Sequence, residues 1–499
     1  MKNPPLITPA FSATNRTALI YEGQKFTYAE LLDSSAKVAR SLLKDQNHLN
    51  GERIGLSATA GVEHIILLWG IWRAGAVVAP ISRSASAAEI AYFLEDAEIS
   101  KVLCSEGEKA TTKTRLPADF TNLWGVKDLP DIPENTLPDI SPENGATLIY
   151  TSGTTSKPKG VVMTHGNLHA QVSSLVDAWA WSKDDCIPLC LPLHHVHGLI
   201  NVLCCAMYCG AKTVCYESFD AKDVLKAVAD KTFSVFMAVP TIYVKMIEYI
   251  DSLPEAEAAG ICEGFKGMRL MVSGSAALPV SVHQRWQALT GQVLLERYGM
   301  TEIGMALSNP YQGERRPGTV GQPLPGVEIC LRGEDGKIIQ KEGVSGEILI
   351  KGPGVFSGYL NRPEATAEAF ENGWFRSGDI AQWDDGYVRI LGRSSIDIIK
   401  SGGYKLSALE IETHLLDHPD IREIAVVALP DDTWGETVAA AVVLQPGSQT
   451  DADALRNWSK EKMSDYKVPR RWILVYALPR NAMGKVMKPK VTEMILESL

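Results

Sequence analysis

The sequence predicts an α/β fold: a large N-terminal body of mostly parallel sheets with helices and a small β subdomain, followed by a small α+β unit. Three observations predict it. Buried-type strands alternate with helix-period segments through the first half of the chain. From Thr319 the texture changes to short β-type runs separated by Gly and Pro. A last set of helices and strands follows Ser407. At 499 residues the chain also exceeds one hydrophobic core, so at least two domains are expected.

The elements follow in order. Residues 26–43 carry apolar side chains at helical spacing behind Thr27, which is suited to an N-cap. Residues 53–56 read as a strand, 63–74 as a helix and 76–80 as the next strand. Residues 108–145 are poor in aliphatic runs and rich in Pro, Asp and Thr, and read as a surface connection. Residues 146–150 form an apolar strand that enters a polar loop, and 161–163 form the strand that leaves it. Residues 213–216, 235–239 and 270–273 continue the strand pattern. Segments 327–331, 346–351 and 387–391 suggest a small, mostly antiparallel subdomain. Residues 407–415 and 453–462 read as helices, and 421–429 and 439–444 as strands. The short polar string Gly392-Arg393-Ser394-Ser395 marks the boundary. The expected division is 1–392, a hinge at 393–395, and 396–499.

A hydrophobic content of 45% suits a globular protein. The formal net charge of −10 argues against nucleic acid as a main partner. Anionic ligands stay open, because loops and single cations meet phosphates locally. No apolar run reaches the roughly 18 residues of a membrane span, so no membrane insertion is expected. The nearest, 64–82, is broken by Trp72-Arg73-Ala74-Gly75. Met1-Lys2-Asn3-Pro4-Pro5 has neither a signal-type apolar core nor an Arg-rich presequence. The expected compartment is the cytoplasm, or an organelle matrix if a presequence was removed. Of nine cysteines, Cys204, Cys205, Cys209 and Cys215 cluster in an apolar setting without a Cys-x-x-Cys pair. They read as buried free thiols rather than a zinc site, and imply a reducing compartment.

The most informative string is Ile149-Tyr150-Thr151-Ser152-Gly153-Thr154-Thr155-Ser156-Lys157-Pro158-Lys159-Gly160. Its hydroxyls can donate hydrogen bonds, Gly153 and Gly160 can turn backbone N–H groups toward one point, and Lys159 adds a positive charge. Such a loop suits phosphate oxygens, although a polar surface turn has the same composition. A P-loop NTPase needs Gly-Lys followed by Ser or Thr and then a helix. Here Gly160 and a β-branched run follow Lys159 instead.

The string resembles the nucleotide loop of the acyl-adenylate-forming enzymes: acyl-CoA synthetases, nonribosomal adenylation domains and firefly-type luciferases. Further matches run in the family's order over roughly residues 15–495. The resemblance implies that Thr151, Ser152, Gly153, Thr154, Thr155 and Lys159 hold the phosphates of ATP. Gly274, Ser275 and Ala276 look like the loop that receives adenine. Tyr298-Gly299-Met300-Thr301-Glu302 resembles the second nucleotide motif, where Tyr stacks on adenine, Thr contacts phosphate and Glu binds Mg²⁺; Thr155 is the other residue assigned to the metal. A carboxylate is a hard ligand suited to that ion. Asp379, in Ser377-Gly378-Asp379, resembles the ribose clamp, with Arg393 as its cationic companion. Lys485, in Asn481-Ala482-Met483-Gly484-Lys485, resembles the lysine delivered to the reacting carboxylate and α-phosphate by a mobile C-terminal domain. Without that context it would read as a solvated surface lysine.

Ser401, Gly402 and Gly403 resemble the loop that lines the thiol channel for CoA after the small domain rotates. The family's acidic residue three after the arginine is replaced by Ile396, and Asp397 comes one later. Ser395 holds the hinge position where Asp or Lys is common. His194-His195-Val196-His197-Gly198 invites a metal reading, but adjacent His194 and His195 project differently and no carboxylate pattern completes a site. The resemblance instead places His195 where acyl pocket and thiol channel meet.

Arg297 bears on the acid. It precedes Tyr298, at a position facing the acyl pocket in the family, where aryl and fatty-acid ligases commonly have an uncharged residue. A second substrate carboxylate would pair it bidentately; an internal ion pair with Glu296 would also account for it. The strings 272–279, 296–302 and 397–405 resemble malonyl-CoA synthetases of plant and animal type. The expected activity is an AMP-forming malonate–CoA ligase using ATP, Mg²⁺ and CoA. The alternatives are the same chemistry on methylmalonate, oxalate or an aryl acid, and, in another class, an idle nucleotide-binding module or a carrier-protein loading domain.

Overall fold

A computed structural model gives the architecture and describes residues 3–133, 136–151, 158–402, 404–431, 433–480 and 485–498. Its center is a seven-stranded sheet. The strands run in the order Gly358–Tyr359, Lys159–Thr164, Gly145–Thr151, Val77–Pro80, Arg53–Ser57, Lys101–Cys104 and Leu123–Gly125. From Gly145–Thr151 to the last edge every pairing is parallel. On the other side the two pairings are antiparallel, with Thr151 and Lys159 as register partners. The two ends of the sequence's phosphate loop are thus tied together by sheet bonds.

Two local features show how the sequence builds this sheet's cover. Thr27 caps the helix Tyr28–Leu43 in a capping box: its hydroxyl accepts from Glu30 N–H, and Glu30 accepts from Thr27 N–H at 2.6 Å. Such a cap contributes about 1 kcal/mol. The apolar run near residue 64 is the helix Val62–Arg73, buried from His64 through Arg73. A Cβ on Gly70 would lie 2.3 Å from Val38, so the two helices cross where glycine lets them touch. No described helix is long and apolar enough to cross a membrane.

The segment 108–145 corrects the sequence expectation. It holds the helix Lys109–Arg115 and the edge strand Leu123–Gly125, which pairs in parallel with Lys101–Cys104. Its strand signal is weak because the strand has only three residues; Trp124 packs on the core and also meets two cations. The Lys44 and Lys101 ammonium groups lie 5.2 and 5.4 Å from that ring's center.

A second sheet carries Val235–Ala238, Leu270–Ser273 and Leu295–Met300 in parallel, then Gly304–Ser308 and Gln322–Pro323 antiparallel. A four-stranded sheet joins Thr17–Tyr21 and Gln24–Thr27 to Lys212–Cys215 and Cys186–Leu189. The expected β subdomain is a six-stranded antiparallel sheet that includes Gly346–Lys351, Trp374–Asp384 and Tyr387–Arg393. One hydrophobic cluster runs through this body from Leu6 to Val388. After it come Ile398–Ser401, Tyr404–Ser407, Ile421–Asp431, Gly435–Leu444 and Arg471–Leu474 in one sheet. The helices Ala408–Leu415, Ala452–Lys462 and Lys488–Glu497 accompany it. This unit has two clusters of its own, between Ile399 and Ile495. Cys204, Cys205 and Cys215 are buried and Cys209 partly so, and all nine thiols are free. Burial pushes the Cys204 thiol up to about 12.

Candidate active site

Arg297 lies in the strand Leu295–Met300, where alternation sends neighboring side chains to opposite faces. Glu296 therefore points away from it. The Glu296 carboxylate sits 3.4 Å from His283 Nδ1 and accepts from Gly318 N–H at 3.1 Å. The Arg297–Glu296 ion pair does not form. Arg297 is 4% exposed, and among the described residues it has no carboxylate partner. Its Nη2 donates to Ser275 Oγ at 3.3 Å, and its Nε has no hydrogen-bond partner. Burial lowers its pKa to about 10.

The loop after Leu270–Ser273 is shaped around this guanidinium. A Cβ on Gly274 would lie 2.5 Å from Arg297 Cζ. Ser275 takes a left-handed backbone conformation, φ 71°. For a residue with a side chain this costs about 1–3 kcal/mol. It sets the Ser275 hydroxyl between Arg297 and His197, whose Nδ1 is 3.2 Å away. His197 starts a π-helical segment, His197–Cys204, a wide turn often found at functional sites. Burial, reinforced by the Arg297 charge, holds the His197 imidazole well below its ordinary pKa.

A second cluster surrounds Asp379. The Tyr298 hydroxyl donates to its Oδ2, and Arg393 Nε donates to its Oδ1 at 2.9 Å. Ser377 fixes the turn by donating to Ile348 O at 2.8 Å and accepting from Asp379 N–H at 3.0 Å. Gly378 turns the chain with φ 72°. Nearby, Glu302 is 6% exposed and accepts from the Tyr359 hydroxyl at 3.0 Å. Burial raises the Glu302 pKa. The Lys159 ammonium stands 4.9 Å from the center of the Tyr359 ring, so Tyr359 links cation and carboxylate.

Lys485 reaches the same cavity from the C-terminal unit. Its side chain is exposed overall, which tempers the effect of burial around the ammonium. Burial, then the charges of Arg393 and Arg297, lowers its pKa, and Asp379 opposes them. Burial, His194 and Lys485 together bring His195 down to about 3, so its imidazole is neutral. The His194 and His195 rings lie 4.1 Å apart at 54°, packed together rather than pointing apart.

The arrangement is one cavity holding a buried cation, a hydroxyl-clamped carboxylate, a desolvated carboxylate and two lysines. A profile described as AMP-binding enzyme matches residues 9–360, and one described as AMP-binding enzyme C-terminal domain matches residues 410–485. The chain belongs to the AMP-binding enzyme family. Malonate–CoA ligase ACSF3, mitochondrial, of Bos taurus is 41% identical over 96% of this chain and 88% of that protein. The malonate–CoA ligase of Arabidopsis thaliana is 36% identical over 97% of this chain and 86% of its own length. ATP-bound MatB from Rhodopseudomonas palustris superposes with a TM-score of 0.89 at 32% identity, covering 99% of each chain.

In this AMP-binding enzyme most sequence-assigned site residues line one large open cleft. Thr151, Lys159, Ser275 and Ala276 line the cavity, as do His195, Arg297, Asp379, Arg393 and Lys485 and the run from Tyr298 through Glu302. Gly274 is not among its walls, and a Cβ there would meet Arg297. Ser401 and Gly402 are also not among its walls. Gly402, at φ 56°, packs against Trp434, whose ring a Cβ would meet at 2.6 Å. Ser152, Gly153, Thr154, Thr155 and Gly403 fall outside the described residues. Sequence reasoning missed His197 and Tyr359. His197 stood in a string already noticed, but its pairing with Ser275 spans 78 positions.

Proposed function

We propose that this chain is a malonate–CoA ligase that converts malonate, ATP and CoA to malonyl-CoA, AMP and pyrophosphate. The observation that carries this is Arg297: a buried guanidinium that has, among the described residues, no carboxylate partner and no hydrogen-bond partner at Nε, beside Ser275 and His197. A buried unpaired charge is costly, and a second carboxylate on the substrate offsets that cost through two charge-assisted hydrogen bonds. A monocarboxylic acid leaves it unpaired.

In the first half-reaction the other carboxylate of malonate attacks the α-phosphorus of ATP. The new P–O bond forms as the bond to pyrophosphate breaks, leaving malonyl-AMP. The protein's part is positioning and neutralization of charge. Lys485, Lys159 and Thr301 supply it at the phosphates, and Asp379 with Arg393 and Tyr298 holds the nucleoside. Glu302 suits Mg²⁺, because it is a desolvated carboxylate that gains from a cation and phosphate oxygens complete the ion's preferred ligand set. When bound, that ion supplies further charge neutralization on the phosphates. In the second half-reaction the CoA sulfur attacks the acyl carbon, its proton passes to solvent, and AMP leaves. Residues 396–499 turn about 393–395 between the steps, withdrawing Lys485 and bringing the Ser401–Gly402–Gly403 loop to the thiol path beside His195. Nine unpaired thiols suit a reducing compartment, the cytosol or an organelle matrix.

The test is product analysis against a panel of mono- and dicarboxylic acids with ATP, Mg²⁺ and CoA. AMP and pyrophosphate should appear with malonate giving the highest kcat/KM. ADP formation would remove the assignment, and equal turnover of butyrate and malonate would remove malonate.

A further inference from the structure

Three residues beyond Lys485 stands a lysine with no part in the chemistry above. Lys488 opens the helix Lys488–Glu497. Its ammonium lies 2.6 Å from Asp397 Oδ1 and 2.8 Å from Glu412 Oε1. All three side chains are largely buried, at 13–15% exposure. Each carboxylate also holds backbone from another element. Glu412 accepts from Val426 N–H at 2.7 Å, in the strand Ile421–Asp431. Asp397 Oδ2 accepts from Arg393 N–H at 3.0 Å, and the Asp397 carbonyl accepts from Ala408 N–H at 2.8 Å.

The loop that carries Lys485 is closed at its neck by backbone. Arg480 and Val486 form a bridge, and Met487 N–H donates to Pro479 O at 2.8 Å. The Arg480 side chain pairs with Glu423 in a partly exposed contact, which contributes little rigidity. Leu478, Val486 and Val491 pack in one apolar cluster on either side of the loop, and Lys488 adds a buried ionic anchor beside them. From Lys488 a chain of bonds runs through Asp397 to Arg393, and from Arg393 Nε to Asp379. The lysine loop and the Asp379 clamp thus share one carboxylate, at the boundary between body and C-terminal unit.

We infer that Lys488 is a positioning residue for acyl-adenylate formation: through Asp397 it holds the Lys485 loop in register with Arg393. This rests on the reading that Lys485 serves that half-reaction. The test uses the full chain and four proteins: wild type, Lys488→Met, Lys485→Ala and the double variant. Pyrophosphate release from malonate and ATP without CoA reads the first half-reaction. CoA transfer from supplied malonyl-AMP reads the second, with a melting curve beside them. Lys488→Met should lower the first rate by about tenfold or more, with the KM for ATP changed by less than about threefold. CoA transfer should stay within about twofold of wild type. In the Lys485→Ala background the same substitution should cost nothing further, because its effect passes through Lys485. Asp397→Asn, which leaves Glu412 as counter-ion, should show the same pattern and serves if Lys488→Met does not fold. Equal fold losses in both backgrounds, or in both half-reactions, would overturn the inference alone. Unimpaired pyrophosphate release by Lys485→Ala would overturn the reading of Lys485 as well.

Discussion

Arg297→Leu should lower kcat/KM for malonate by about thirty- to a thousandfold while sparing or improving butyrate. The range corresponds to about 2–4 kcal/mol, the loss of a desolvated, charge-assisted bidentate contact. The direction for butyrate follows from the same geometry. On the malonate assignment, an acid with an apolar tail would face an unpaired guanidinium in the wild type and a leucine in the variant. Arg297→Lys should recover only part of the malonate rate, since a point charge does not reproduce the planar fork, and Ser275 Oγ would lose its Nη2 donor. Thermal stability separates this from a structural role. Replacing a buried charge that has no carboxylate partner among the described residues by an apolar group should leave the Tm of the free protein unchanged or raised. Equal losses on both acids, with a lowered Tm, would show instead that Arg297 holds the fold.

Lys485→Ala should divide the two half-reactions. Malonyl-AMP formation should fall by about 10²–10³-fold, the effect of removing one preorganized donor from developing charge. Transfer of supplied malonyl-AMP to CoA should stay near the wild-type rate. Arg393, Arg297 and Asp379 all act on the Lys485 ammonium, which therefore sits among the groups that the proposal gives to nucleotide and acid. Burial and the two guanidinium groups lower its pKa, so its proton is held less firmly in the free enzyme than in water, and a polyanionic nucleotide reverses that. Stopped-flow release of pyrophosphate and single-turnover thioester formation measure the two steps. Parallel losses in both would mean that Lys485 does not leave the site between them.

What was legible in the sequence is chemistry compressed into contiguous strings. Tyr298 through Glu302 and Ser377 through Asp379 each fold as one turn or strand, so neighbors in sequence stay neighbors at the site. What was not legible joins distant elements. The hydroxyl on Glu302 comes from Tyr359, 57 positions later, and the ammonium on Asp397 from Lys488, 91 later. Arg297 and Glu296 are the opposite case. Adjacent residues invite an ion pair on paper, but a strand turns them to opposite faces, toward Ser275 and His283. The histidine string was noticed for His195, whereas the π-helical start at His197 puts that ring against Ser275. The edge strand Leu123–Gly125 escaped because three residues are too few to show a strand period.

The buried guanidinium, which has no carboxylate partner among the described residues, also bears on the amount of this protein. On the proposed assignment, a bound diacid would neutralize a charge that no described carboxylate neutralizes, and should therefore favor the native state. Quality control acts on the unfolded fraction, and that fraction should shrink where such a diacid binds. A cell rich in the dicarboxylic acid would therefore keep more of the chain intact, and a starved one would clear it sooner, with no change in transcription.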